Sequence, residues 1–230
     1  MIVALALGCG LVGLIVGLAI LVGIERIPPR AELVMAPFPE IGLGLRSARG
    51  VLVVLGTGAL WSGLALRLED TWELPAYLVL AAALVLLSVI DLDHHVLPNR
   101  VVYPTSISVA VLLGAAAAFG GDGDAFGRGL GCGAGAFVAF FALHLISPRG
   151  LGFGDVKLSF VLGLSLGWFG VGETVLGLFL GFLYGAVIGI ALLASKIRGR
   201  KDAVPFGPFL AAGTITAVFV GATILDWYRK

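Results

Sequence analysis

The chain has 230 residues, 59% of them hydrophobic and 13% charged, with 35 glycines and a mean hydropathy of +1.08; an ordinary soluble domain carries about 25% charged residues. That composition excludes a soluble globule and a disordered chain. A formal net charge of +1, with the basic residues scattered between apolar runs, excludes a nucleic-acid binder as well.

Apolar runs bounded by charge predict eight spans, at about 2–24, 51–66, 75–92, 101–119, 129–146, 156–171, 174–195 and 207–226. At roughly 20 residues per crossing they take up about 160 residues, which leaves room for short loops only. The expected fold class is all-α, a polytopic transmembrane helical bundle forming one integral membrane domain over 1–230. The first run lacks a basic segment ahead of it and runs straight into Glu25, Arg26 and Pro28-Pro29, so it reads as a retained helix and not a cleaved signal. Residues 25–50, with Pro28, Pro29, Pro37 and Pro39, are too proline-broken for a span and are expected to form a cytoplasmic loop, either an interfacial lid or a connector. With eight spans the loops alternate sides, and eleven of the 15 lysines and arginines then fall on one side. That asymmetry assigns the first, third, fifth and seventh loops to the cytoplasm and both termini to the outside. The outer loops Glu69–Glu73 and Gly121–Asp124 are short and acidic, in agreement.

The third span ends in Ser88-Val89-Ile90-Asp91-Leu92-Asp93-His94-His95-Val96-Leu97-Pro98-Asn99-Arg100. A carboxylate in hydrocarbon costs roughly 2.5–3.5 kcal/mol even on a lenient insertion scale, so Asp91 is a functional suspect by default. Asp93 lies roughly 200° around the helix from it and is assigned to the rim. His94 and His95 would tune a nearby carboxylate or bind a metal, but adjacent histidines project in different directions and no third ligand is evident; they read as solvated loop residues. A charged His94 would favour an ionised Asp91. His144, alone on an apolar helix, reads as a hydrogen-bonded packing residue. Cys9 and Cys132 lie far apart inside apolar runs and suggest neither a disulfide framework nor a thiolate metal site.

Before the sixth span the chain reads Gly150-Leu151-Gly152-Phe153-Gly154-Asp155-Val156-Lys157-Leu158. Gly152 and Gly154 permit a tight turn and the close approach of a substrate backbone. Asp155 sits where the helix dipole favours negative charge, a place that suits a simple cap equally well. Lys157 would pair with an ionised aspartate or snorkel to a lipid headgroup. By the loop assignment Asp91 and Asp155 reach the same membrane face from separate helices. Two such carboxyls resist ionising together and share one proton: the ionised partner activates water while the protonated one donates to the substrate. Peptide hydrolysis then needs neither a metal nor a covalent intermediate. Two glycine series at four-residue spacing, Gly127, Gly131, Gly135 and Gly177, Gly181, Gly185, Gly189, are expected to let helices pack closely within the bundle. The basic run Lys196, Arg198, Arg200 and Lys201 is expected to set topology and meet anionic lipid.

Taken together, Asp91 followed by Pro98-Asn99, the Gly152-x-Gly154-Asp155-x-Lys157-Leu158 stretch, and Val204-Pro205-Phe206-Gly207-Pro208-Phe209-Leu210-Ala211 opening the last span resemble the type IV prepilin leader peptidases. These are membrane aspartic peptidases that share a Gly-x-Gly-Asp motif with presenilin-like enzymes. The resemblance covers the chain from about residue 80 to the end. It implies an endopeptidase of the prokaryotic inner membrane that removes the short basic leader from prepilins or pseudopilins at the cytoplasmic face, just after a glycine and before an apolar helix. It further implies Asp91 and Asp155 as the catalytic pair, with Gly152, Gly154, Lys157, Pro98 and Asn99 shaping the site or binding substrate. Bacterial members often carry two Cys-x-x-Cys pairs after the first helix; residues 25–50 contain no cysteine, so no metal is expected. Many also methylate the new N-terminus, and S-adenosylmethionine enters only if that activity is retained. The shortened loop is closer to the compact members, including archaeal preflagellin peptidases. A small transporter or channel is the rival reading, and it predicts carboxylates spread along a mid-membrane path and inverted sequence halves; a non-catalytic scaffold leaves the three motifs unexplained.

Overall fold

A computed structural model describes residues 1–26, 47–69, 71–148, 150–195 and 205–228. Most of the expected 25–50 loop and the whole basic run from Lys196 to Lys201 lie outside the described residues.

The described residues form eight helices: α1 (Ile2–Arg26), α2 (Ala48–Leu68), α3 (Leu74–His94), α4 (Asn99–Gly120), α5 (Gly123–Ile146), α6 (Phe153–Phe169), α7 (Val171–Ala194) and α8 (Gly207–Tyr228). All but α6 are long and apolar enough to cross a membrane, and the chain is a multi-pass membrane protein. The connections follow from local chemistry. Ser47 caps α2, its Oγ accepting from the Gly50 amide at 3.0 Å. Gly121, at φ 82°, supplies the left-handed residue that closes α4.

At 17 residues α6 is the shortest helix, and it is apolar on every side: Val156, Leu158, Val161, Leu162, Leu164 and Leu166 are all buried. A helix without a polar face belongs in the centre of a bundle, and α6 is packed by α4, α5, α7 and α8. α3 is packed by α1, α2, α4 and α8, so α4 and α8 flank both helices. A hydrogen bond from the Tyr77 hydroxyl of α3 to the Ser165 carbonyl of α6, at 2.6 Å, links the two directly.

Three expectations are corrected. α5 starts at Gly123, so the outer loop before it shrinks to Gly121-Asp122. The apolar run predicts a start after Arg128, but Arg128 lies inside the helix and caps the end of α6. Its Nε donates to the Gly167 carbonyl at 2.9 Å and its Nη2 to that of Trp168 at 2.5 Å. α6 likewise begins at Phe153, which puts Asp155 within its first turn. Finally, Gly127, Gly131 and Gly135 have no neighbour within 4 Å among the described residues. The packing face of α5 is the alternate pair, Gly129 and Gly133, where a Cβ would lie 2.7 Å from the Leu164 carbonyl and 2.9 Å from that of Phe160. Glycine at every second position offers two four-residue stripes, and spacing alone cannot choose between them. On α7, Gly177 and Gly181 meet α8 as expected and Gly185 meets Phe206 and Phe209, whereas Gly189 has no neighbour within 4 Å among the described residues.

Candidate active site

Three helix ends converge at one end of the bundle: the C-terminus of α3, the N-terminus of α6 and the N-terminus of α8. Asp91 lies in the last turn of α3. That helix stops at His95, whose left-handed backbone (φ 55°) returns its amide to the Asp91 carbonyl. The Asp91 side chain is only 5% exposed. Its Oδ2 accepts a 2.9 Å hydrogen bond from the amide of Gly207, the first residue of α8. A helix N-terminus presents such free amides and favours negative charge. The imidazole of His95 lies within electrostatic reach of Asp91.

Asp155 is 7% exposed. Its Oδ2 accepts from the Gly152 amide at 3.2 Å, while Oδ1 is buried with no hydrogen-bond partner among the described residues. The Asp91 and Asp155 carboxylates are close enough to interact through space, and they are the buried carboxylates among the described residues. A buried oxygen without a partner is costly unless something arrives to satisfy it. A water or a substrate group between the two acids would do so.

Leu97, which sequence reasoning passed over, packs between the two glycine turns. A Cβ on Gly154 would lie 2.9 Å from the Cβ of Leu97, and a Cβ on Gly207 would lie 2.9 Å from Oδ2 of Asp91 and 3.2 Å from Cδ2 of Leu97. The signal was present in Pro98, because the residue before a proline is driven to extended backbone. Pro98 itself is the residue from which α4 begins. Asn99 and Lys157 form one unit: Lys157 Nζ donates to Asn99 Oδ1 at 2.8 Å and lies 4.7 Å from the ring centre of Phe153 and 5.4 Å from that of Tyr103. Lys157 is thus joined to Asn99 rather than to an aspartate. Asp93 points elsewhere, into a two-pronged ion pair with Arg49 at 2.7 and 2.8 Å.

Beside the two acids an apolar cleft of about 210 Å³ is lined by Leu143, Ile146, Leu151, Phe182 and Phe206, with Ser147 and Gly150. Leu151 immediately precedes Gly152, the amide donor to Asp155, and Phe206 immediately precedes Gly207, the amide donor to Asp91. The cleft is therefore lined by the residues that directly precede both amide donors.

A helical membrane bundle that buries two aspartates from separate helices within electrostatic reach of each other belongs to the class of membrane proteins built around a carboxylate pair. The chain belongs to the type IV leader peptidase family, whose sequence pattern matches residues 78–193, a stretch that holds both aspartates. It is similar to the prepilin leader peptidase/N-methyltransferase of Aeromonas hydrophila, 35% identical over 79% of this chain and 62% of the relative. The proteins of the same description from Pseudomonas aeruginosa (32% over 78% of this chain and 61% of the relative) and Bacillus subtilis (30% over 76% and 68%) are similar too. The chain spans about 62% of the length of the first of these relatives. No solved structure matches.

Proposed function

We propose that the chain is an aspartic endopeptidase that removes the leader peptide from type IV prepilin-like or pseudopilin precursors, with Asp91 and Asp155 activating the water. The observation that carries this reading is the pair itself. Two buried carboxylates arrive from separate helices, each with Oδ2 held by a backbone amide, and Oδ1 of Asp155 has no partner among the described residues. The ionised acid takes a proton from the water as its oxygen attacks the scissile carbonyl, and the protonated acid donates to the carbonyl oxygen. Collapse of the resulting gem-diol returns one hydroxyl proton to the carboxylate that had donated and breaks the C–N bond, while the proton held by the base passes to the leaving amine.

The charge asymmetry of the loops supports a site at the cytoplasmic face of the prokaryotic inner membrane. The apolar cleft beside the acids suits the first side chains of the substrate's membrane helix, and Lys157 with Asn99, Pro98, Gly152 and Gly154 shape the approach. A transport path would place carboxylates through mid-membrane, whereas the buried pair sits at one end.

The relatives' description as N-methyltransferases raises the question of S-adenosylmethionine. S-adenosylmethionine enters the reading only if that activity is retained; the proteolytic step proposed here uses the two carboxyls and water.

Co-expression with a prepilin tests the reading. The wild type should shorten the precursor, and Asp91→Asn should leave it full length. An unprocessed precursor with the wild type, or full processing by the variant, would refute the proposal.

A further inference from the structure

His144, on α5, is 11 positions before Asp155 and belongs to neither aspartate helix. Its Nδ1 lies 2.7 Å from the carbonyl oxygen of Leu151. A carbonyl only accepts, so Nδ1 carries the proton and donates. The peptide group that begins with this carbonyl ends in the Gly152 amide, which donates to Oδ2 of Asp155. One planar peptide unit is therefore held at both ends, by the imidazole on one side and by the carboxylate on the other. Planarity transmits position: fixing the oxygen fixes the direction of the N–H. Polarisation runs the same way, since a carbonyl that accepts makes its own amide a better donor along the chain. The imidazole is itself braced by Phe153, the first residue of α6, with ring centres 5.6 Å apart.

Resting on the peptidase reading above, we infer that His144 is a positioning residue for Asp155, acting through the Leu151–Gly152 peptide group. Its work is to aim one backbone amide so that Oδ2 of Asp155 is occupied and Oδ1 is presented to the reacting water. It does not touch substrate and exchanges no proton in the reaction. Nothing else in the helix run Leu143–Ile146 offers the loop a side-chain donor, which explains an imidazole on an otherwise apolar stretch.

The side chains of asparagine and glutamine separate this role from simple packing. Asparagine places its amide nitrogen where histidine has Nδ1, glutamine places it near Nε2, and leucine fills the space with no donor. His144→Asn should keep processing within about threefold of wild type. His144→Leu and His144→Gln should lower kcat by about 10- to 100-fold with KM nearly unchanged, the size of effect that misplacing a catalytic group produces. The second readout needs no cleavage: hydrogen–deuterium exchange of the peptide covering residues 150–156 in the reconstituted protein should quicken in the Leu and Gln variants and stay slow in the Asn variant. Equal activity in all three variants, or exchange that does not follow the Asn–Gln difference, overturns the inference. A wild type that leaves prepilin uncut refutes the peptidase reading instead, and exchange still decides whether His144 holds the loop.

Discussion

Gly207 and Asp91 are 116 positions apart in sequence and joined by a 2.9 Å hydrogen bond from the Gly207 amide to Oδ2 of Asp91. The first amide of α8 thus meets the last turn of α3. The same glycine leaves no room for a side chain, because a Cβ there would sit 2.9 Å from that oxygen. Gly207→Ala should therefore push the Asp91 carboxylate from its place. A carboxylate end can swing aside, so the helix content measured by circular dichroism should stay unchanged while prepilin processing falls about 10- to 100-fold.

Gly154 makes a harder contact. Its missing Cβ would meet the Cβ of Leu97 at 2.9 Å, with Cγ and Cδ1 of Leu97 at 3.4 and 3.3 Å. Gly154→Ala should cost about 1–3 kcal/mol, typical of overpacking, and abolish processing. Trimming Leu97 to alanine leaves the offending Cβ in place, so Gly154→Ala with Leu97→Ala should remain inactive. Recovery in that double variant, scored by thermal unfolding and precursor cleavage, would show that the contact is softer than its geometry implies.

Asn99 and Lys157 share one hydrogen bond at 2.8 Å. If that bond is what both contribute, Asn99→Ala and Lys157→Met should each slow processing, and the double variant should be no slower than the worse single one. Neighbours in one contact fail additivity in this way. Rates that simply multiply would mean that each residue meets the substrate separately.

Asp93 offers the contrasting carboxylate. It pairs with Arg49, the two side chains 32% and 51% exposed respectively, and exposed ion pairs contribute about 0–1 kcal/mol. Asp93→Asn should leave processing at the wild-type rate and shift the unfolding midpoint only slightly. A large loss of activity would place Asp93 within the site.

Much of this arrangement was legible in the chain. The scarcity of charge made Asp91 and Asp155 conspicuous, and the spans around them were fixed by apolar length. The turn from Asp91 to Asp93 around a helix separates their fates at the level of sequence. Other features stayed hidden for identifiable reasons. Arg128 looked like a boundary because charge ordinarily ends a span, yet it serves as a cap from inside a helix. Glycine at every second position of α5 left its packing face undetermined. Leu97 is one apolar residue among many, and only the meeting of three helix ends gives it a special place. The contact between Gly207 and Asp91 links distant segments, and the local pattern around either residue says nothing of the other.

The central claim is that Asp91 and Asp155 act as one unit, and the most direct measurement is mass spectrometry of a prepilin N-terminus after incubation with the purified, reconstituted protein. Wild type should release the leader. Asp91→Asn, Asp155→Asn and the double variant should all yield the intact precursor at the same background level, because removing either member of a unit disables it as fully as removing both. Leader release at the wild-type rate by either single variant would contradict the claim.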